Sequence, residues 1–482
     1  MNLKSLAKDT VIYGLSSIVG RFLNYLLVPV HTYRIPVESG GYGIVSNLYA
    51  YTAFFLALLT FGMETTLFRF CNKQEEDERM VYSTVLRIVG FVNLLFIVLV
   101  MVFLRPISEA MGYSTHPEYI ACMAFVVAFD AFQAIMFSRL RQQHRPVKFM
   151  ALKFAFIIPY VLLNLFLFYV MPNIPALVGI FNRFDYGVGL IFFVNLICTT
   201  CVFAGFTKEL SEIGFGFDRG LARRLLRYTW PLLIFSLMGI LNNVADKMLF
   251  PHLMPGTEGK VQLGIYGACV KIAMIMSLLV QAFRYAYEPI VFNGSNRKDN
   301  PETLALGMKY FIIFTLLAYM AVIFYMPLLQ HFVPASYREG LDIVPIVMMA
   351  EIFMGVYFNL SFWYKLTDKT YWGAIMSAVG AAVMIAINII FVPRMGYWAC
   401  AWGGFAGYGV AMLMSFLIGR KKMPVKYDTR SILSFTGLAL GMLVISMYCF
   451  KGLPVWAKMC LDSLMLLSYL YFIWIETKKS HV

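Results

Sequence analysis

Arg21, Lys247, Lys271 and Arg284 each lie inside a long apolar run, where a charge needs a partner or a water-filled cavity. Cationic side chains gathered in one cavity hold an anion, and a guanidinium fork matches a phosphate bidentately. We read these four residues as a site for a phosphate or diphosphate head group. Five carboxylates lie in or beside the same runs: Glu64, Asp130, Asp246, Glu288 and Glu351. Each is a candidate to pair with a cation or to titrate as a coupling group. Arg284 and Glu288 are four residues apart, so a helix brings them together as an ion pair. Asp246 and Lys247 are adjacent and point about 100° apart on a helix, so they are expected not to pair with each other. Arg87, Lys153 and Lys309 fall within a turn or two of a span end and read as snorkelling cations.

Other chemistry is missing. The sequence has no GxxxxGK[ST] loop, no HExxH and no GxSxG, so neither nucleotide-driven nor common hydrolytic machinery is expected. The loops are short and leave no room for a catalytic domain. His31, His116, His252 and His331 lack metal-ligand spacing, and the single CxxC at Cys198 and Cys201 lies within an apolar run as packing. The chain thus reads as a non-enzyme with no cofactor and no metal. Asn293-Gly294-Ser295 and Asn359-Leu360-Ser361 match the glycosylation pattern, which is common by chance and is set aside.

The elements that position these residues follow from composition. Of 482 residues, 60% are hydrophobic and 14% charged, against about 45–50% and about 25% in a soluble domain. The apolar runs reach the roughly 20 residues that a helix needs to cross hydrocarbon, and in lipid the backbone must be paired within each span. Fourteen transmembrane helices are expected, over 10–33, 41–66, 83–104, 118–138, 149–171, 187–206, 229–250, 263–287, 305–327, 340–362, 371–392, 397–419, 431–450 and 455–475. The first run lacks a cleavage site and is expected to remain as a span. With the N-terminus inside, the inner segments carry 25 Lys and Arg and the outer segments 8. That bias places both termini in the cytoplasm. It also accounts for the net charge of +14 without a nucleic-acid partner. Only the last outer loop, with Lys451 and Lys458, does not discriminate.

Residues 207–228 carry Arg219, Arg223, Arg224 and Arg227 at near-helical spacing and read as a cytoplasmic amphipathic linker on an anionic leaflet. Thr10 followed by Tyr42-Gly43-Ile44 is echoed by Thr229 followed by Leu263-Gly264-Ile265, a parallel repeat of six spans and six. The expected organisation is a lobe over 1–206, the linker 207–228, a second lobe over 229–420, and two additional helices with a cytoplasmic tail over 421–482. Repeated halves with a site between them suggest alternating access.

Three stretches carry a family resemblance. One runs from Leu6-Ala7-Lys8-Asp9-Thr10 to Phe61-Gly62-Met63-Glu64-Thr65-Thr66-Leu67-Phe68-Arg69-Phe70. A second joins Asp246-Lys247 to Gln281-Ala282-Phe283-Arg284-Tyr285-Ala286-Tyr287-Glu288-Pro289. The third is Asn359-Leu360-Ser361-Phe362-Trp363-Tyr364-Lys365-Leu366-Thr367-Asp368-Lys369-Thr370. The sequence resembles the Wzx-type oligosaccharide flippases, the polysaccharide transport branch of the MATE-like MOP exporter superfamily, in their Bacteroidetes-like form. The resemblance implies an all-α, V-shaped, two-lobed fold in the bacterial inner membrane. It implies transfer of an undecaprenyl-diphosphate-linked oligosaccharide between leaflets, driven by an ion gradient or membrane potential. Polysaccharide polymerase or assembly proteins are implied as partners beside membrane lipids. It also implies a cationic cavity with arginines from spans one and eight, which Arg21 and Arg284 match; Lys247 stands where the family commonly has arginine. The alternatives are a cation-coupled drug exporter and a lipid II or teichoic-acid flippase.

Overall fold

The computed structural model describes residues 19–20, 22–71, 77–214, 218–293, 300–367 and 369–480. Arg21 and residues 10–18 of the first expected span lie outside them. The described chain is all helical. A helix α1 (22–32) is followed by thirteen helices long and apolar enough to span a membrane among the described residues. They are α2 (Gly41–Cys71), α3 (Glu78–Val102), α4 (Pro117–Gln142), α5 (Pro146–Asn173), α6 (Val188–Ser211), α7 (Arg219–Leu253), α8 (Thr257–Glu288), α9 (Pro301–Phe324), α10 (Ala335–Leu366), α11 (Tyr371–Met395), α12 (Tyr397–Lys422), α13 (Thr429–Cys449) and α14 (Val455–Lys478). The chain is thus a multi-pass membrane protein. The last two helices, which the loop charges left open, are both present.

Local chemistry sets the helix starts and breaks. Asp77, Asp218 and Asp428 cap α3, α7 and α13 by accepting hydrogen bonds from Arg79 N, from Gly220 and Leu221 N, and from Ser431 N, as orphan first-turn amides require. Positive φ at Phe61 and Gly62 breaks α2 near its end. In α5, Pro159 removes a donor and a π-turn follows at Phe166–Val170, the usual companions of a bent helix.

Contacts divide the chain into two units, Met1–Gly267 and Ala268–Val482, with the division inside α8. Packing thus places α7 and the first turns of α8 with the preceding helices. The cause is close backbone approach: a Cβ on Gly43 of α2 would strike the Lys260 carbonyl, and one on Gly264 would meet Gly43 N at 3.0 Å. The glycines of the two repeated motifs therefore pack on each other.

Within the first unit, residues 219–228 form the opening turns of α7. Leu221 and Leu225 join a core of Met63, Leu67, Tyr82, Ile135, Leu140 and Phe206, while Arg223, Arg224 and Arg227 are exposed. Protein covers the apolar side of this segment, so its arginine side is what remains for water or head groups. Beside it, four cations and four carboxylates interlock. Arg139 reaches Glu78 and Glu212 at 3.2 Å each, and Arg141 reaches Glu64 at 2.9 Å. Arg145 and Lys148 grip the fully buried Glu209 at 2.7 and 2.6 Å. These pairs tie α2, α3, α4, α5 and α6 together at one end. Arg87, expected to snorkel, instead donates to the Gly214 carbonyl, and the Lys153 ammonium lies 4.0 Å from the Phe137 ring centroid.

In the second unit α11 and α12 meet through Gly380, Gly403 and Gly407, where added side chains would collide with the facing helix. The pair α13 and α14 packs on α9. Lys309 of α9, expected to snorkel, is 6% exposed. It donates to Asp428 at 2.9 Å and Glu476 at 2.5 Å, because α13 and α14 carry those carboxylates over its ammonium. At the other end of α9, Tyr325 and Ser463 share a hydrogen bond of 2.7 Å.

Candidate anion site

Of the residues expected to bind an anion, Arg284 sits in a crevice within the second unit, built by α8, α9 and α10. The lining includes Phe283, Arg284, Tyr287 and Glu288 of α8, Phe311 of α9, and Gly355, Phe358, Asn359, Phe362 and Lys365 of α10. The helical i,i+4 step brings Arg284 Nε to 3.5 Å from Glu288 Oε2. Seven residues separate Phe358 from Lys365, two helical turns, so the α10 face presents Phe358, Phe362 and Lys365 in a row. Lys365 Nζ donates to Glu288 Oε1 at 2.9 Å. Glu288 thus serves two cations, one per oxygen, and the cluster keeps an excess positive charge.

Aromatic rings hold the cations in place. The Arg284 guanidinium lies 4.9 Å from the Phe358 centroid and the Lys365 ammonium 5.1 Å from that of Phe362, cation–π distances that tolerate partial dehydration. Arg284 is 44% exposed. Among the described residues no hydrogen bond engages its two Nη groups, so the fork remains available to a bidentate acceptor. Gly355 permits the narrowness of the crevice, because a Cβ there would meet the Phe311 ring.

The other expected residues fall elsewhere. Arg21 lies outside the described residues. Lys271 is half-buried on α8, thirteen residues before Arg284 and so about 20 Å away along the helix. Lys247 and Asp246, expected not to pair, do pair: Lys247 Nζ lies 3.3 Å from Asp246 Oδ2. The Tyr266 hydroxyl donates to the same oxygen at 2.6 Å. It holds the carboxylate in place, and the four-carbon lysine stem is long enough to fold back onto it. Asn47 Nδ2 donates to the Lys247 carbonyl at 2.7 Å, which fixes that turn of α7 against α2.

Glu64 accepts from Arg141 and Ser138, which makes it a charge-pair carboxylate of the first unit's network. Asp130 accepts from Thr199 at 3.5 Å, beside a polar chain in which Asn195 donates to Tyr49 and Tyr49 shares a hydrogen bond with Tyr160. Glu351 is half-buried on α10, two turns before Phe358.

Lys365 and Asn359 are not among the expected site residues. Lys365 reads from sequence as a loop cation, and Asn359 falls within a glycosylation pattern. An amide within an apolar helix is costly in lipid, and that is the signal the sequence offers. Asp462, fully buried on α14, is also missed.

The chain is similar in fold to several solved membrane transporters. A lipid II flippase, MurJ, in an inward closed conformation is 14% identical, with 97% of this chain and 99% of that one covered and a TM-score of 0.75. An inward-facing multidrug resistance MATE family transporter of the MOP superfamily is 13% identical over 89% and 96%, with a TM-score of 0.65. The MATE multidrug transporter DinF-BH is 15% identical over 88% and 97%, with a TM-score of 0.57. No curated protein matches the sequence. The fold is therefore the helical fold that these MOP-superfamily structures share. The polysaccharide biosynthesis protein family model matches residues 6–292, more than half of the chain, and the chain belongs to that family.

Proposed function

We propose that this protein is a flippase that moves an undecaprenyl-diphosphate-linked oligosaccharide from the inner to the outer leaflet of the bacterial cytoplasmic membrane. The observation that carries this reading is the crevice in which Arg284 and Lys365 share one carboxylate, found in a chain of the polysaccharide biosynthesis family. A surplus of partly exposed positive charge suits a diphosphate, and the guanidinium supplies the bidentate geometry. Similarity in fold to a lipid II flippase supports the same class of head group. A drug exporter for cations calls for surplus acid at its centre, and the crevice has surplus base. In this reading both termini lie in the cytoplasm, transport is by alternating access, and an ion gradient or the membrane potential drives it without a bound cofactor. Polysaccharide polymerase and assembly proteins are the natural downstream partners, and the chain itself carries out no covalent chemistry.

The test uses proteoliposomes containing a fluorescent undecaprenyl-diphosphate sugar, with leaflet position read by an impermeant quencher. Wild-type protein should equilibrate the lipid between leaflets, and Arg284→Gln should slow this at least tenfold at equal protein level. Equal rates in the two would overturn the role given to Arg284, and no transfer by wild-type protein would overturn the function.

A further inference from the structure

Five of the residues lining the α8–α10 crevice carry polar groups: Arg284, Tyr287, Glu288, Asn359 and Lys365. Four of them are matched by chemistry already described or by a local bond. The two cations share Glu288, and the Tyr287 hydroxyl donates to the Thr303 carbonyl at 2.8 Å. Asn359 is different. It is 8% exposed, and its Nδ2 donates to the Gly355 carbonyl at 3.0 Å. That bond fixes which amide atom is which and leaves Oδ1 as the second polar atom. Asn359 Oδ1 is shielded from solvent and makes no hydrogen bond among the described residues. A buried acceptor without a donor is costly in any protein.

A phosphate cannot supply what Oδ1 lacks. An ionised phosphate diester offers only acceptors, which suit Arg284 and Lys365 and repel another carbonyl oxygen. The group that satisfies Oδ1 must donate, and in the flippase reading it sits beside a phosphate, because Arg284 and Lys365 line the same crevice. A sugar bonded directly to phosphate has this combination: hydroxyl or amide N–H donors beginning on the carbon next to the one that carries the phosphate. Its ring also has an apolar C–H face, and the crevice offers Phe283, Phe358 and Phe362.

We propose that the crevice binds the sugar 1-phosphate portion of its substrate, with the phosphate on Arg284 and Lys365 and a donor of the first sugar on Asn359 Oδ1. This rests on the flippase reading and adds to it a specificity determinant, a residue that distinguishes a glycosyl phosphate from a bare phosphate ester. The crevice as it stands has a volume of about 10 Å³, room for roughly one water, so its walls of Phe283, Phe358 and Phe362 must part before the donor reaches Oδ1.

The experiment measures ligand-detected NMR affinities on the full chain in nanodiscs, with three probes: a hexose 1-phosphate, methyl phosphate and sn-glycerol 3-phosphate. Wild-type protein should prefer the hexose 1-phosphate over methyl phosphate by about 3–10-fold, the worth of one hydrogen bond to a buried acceptor. In Asn359→Leu, nearly isosteric and without the acceptor, that ratio should fall to about 1. If the leucine variant does not fold, Asn359→Ser, which withdraws the carbonyl, should show the same collapse. A ratio that survives the substitution, or a ratio near 1 in wild-type protein that still binds both phosphates, overturns the role of Asn359. Glycerol phosphate binding as well as the hexose overturns the assignment to sugar and points to a phospholipid head group. Failure of every phosphate to bind, with Arg284→Gln indistinguishable from wild type, overturns the anion site itself.

Discussion

The charged ends of the two units use similar residues to different effect. In the first unit Arg139, Arg141, Arg145 and Lys148 face Glu64, Glu78, Glu209 and Glu212, four against four. In the second unit Arg284 and Lys365 face Glu288 alone. In the balanced set each cation has a carboxylate partner across five helices. The unbalanced set lines a crevice, stands on aromatic rings and borders an acceptor without a donor. Similar side chains thus make a clamp in one place and, in the proposed reading, a receptor in the other. Charge balance is what separates them.

That contrast can be broken from either side. The largest effect is expected from Glu209→Leu, which leaves Arg145 and Lys148 without their shared carboxylate. Removing one partner of a buried ion pair costs about 3–5 kcal/mol, so thermal melts in detergent should show a marked loss of stability, while surviving folded protein binds phosphate normally. Arg284→Gln should do the reverse. Phosphate affinity should fall about 10–100-fold, the worth of a charged hydrogen bond. The melting temperature should hardly change, because a half-exposed ion pair contributes little stability. A large fall in stability in that variant would place Arg284 with the clamps.

Smaller effects sharpen the comparison. Glu288 competes with any anion for both cations, so Glu288→Gln should strengthen phosphate binding about 2–5-fold, roughly the worth of a surface charge pair. Weaker binding in that variant would show that Glu288 positions the cations more than it competes for them. The smallest effect concerns pH. The hydrogen bond from Lys309 holds the Asp428 carboxyl below its usual range. A depressed carboxylate contributes stability that is fully present above its unfolded value of about 3.9 and is lost as pH falls through the folded value. Melting curves should therefore soften on acidification below about pH 4, less so in Asp428→Asn.

Much of this fold could be read in the sequence because membrane spans announce themselves by length and apolarity, and α13 and α14 stand where the hydropathy puts them. The helical step alone predicts that Arg284 and Glu288 meet. What the sequence hides depends on distance through space. Periodicity on one helix says nothing of α13 and α14 folding over Lys309, so a buried lysine with two carboxylate partners reads as a snorkelling one. Lys365 lies 77 residues from Glu288, and only the packing of α10 on α8 makes it part of the site. The pairing of Asp246 with Lys247 is misjudged because the geometry of Cβ directions ignores side-chain length and the Tyr266 hydroxyl that fixes the carboxylate.

The buried Lys309 also bears on how such chains diversify. The two helices after residue 422 look like a separable appendix, yet they supply both carboxylates that neutralise a cation inside the helix bundle. Without this pair Lys309 would be left buried with neither of its carboxylates, which is costly inside a span. Relatives ending after the twelfth span should carry an uncharged residue there, and those with the pair should keep the lysine together with its two acids. Those three positions would then vary as a set, a mark by which the longer and shorter branches could be sorted from sequence.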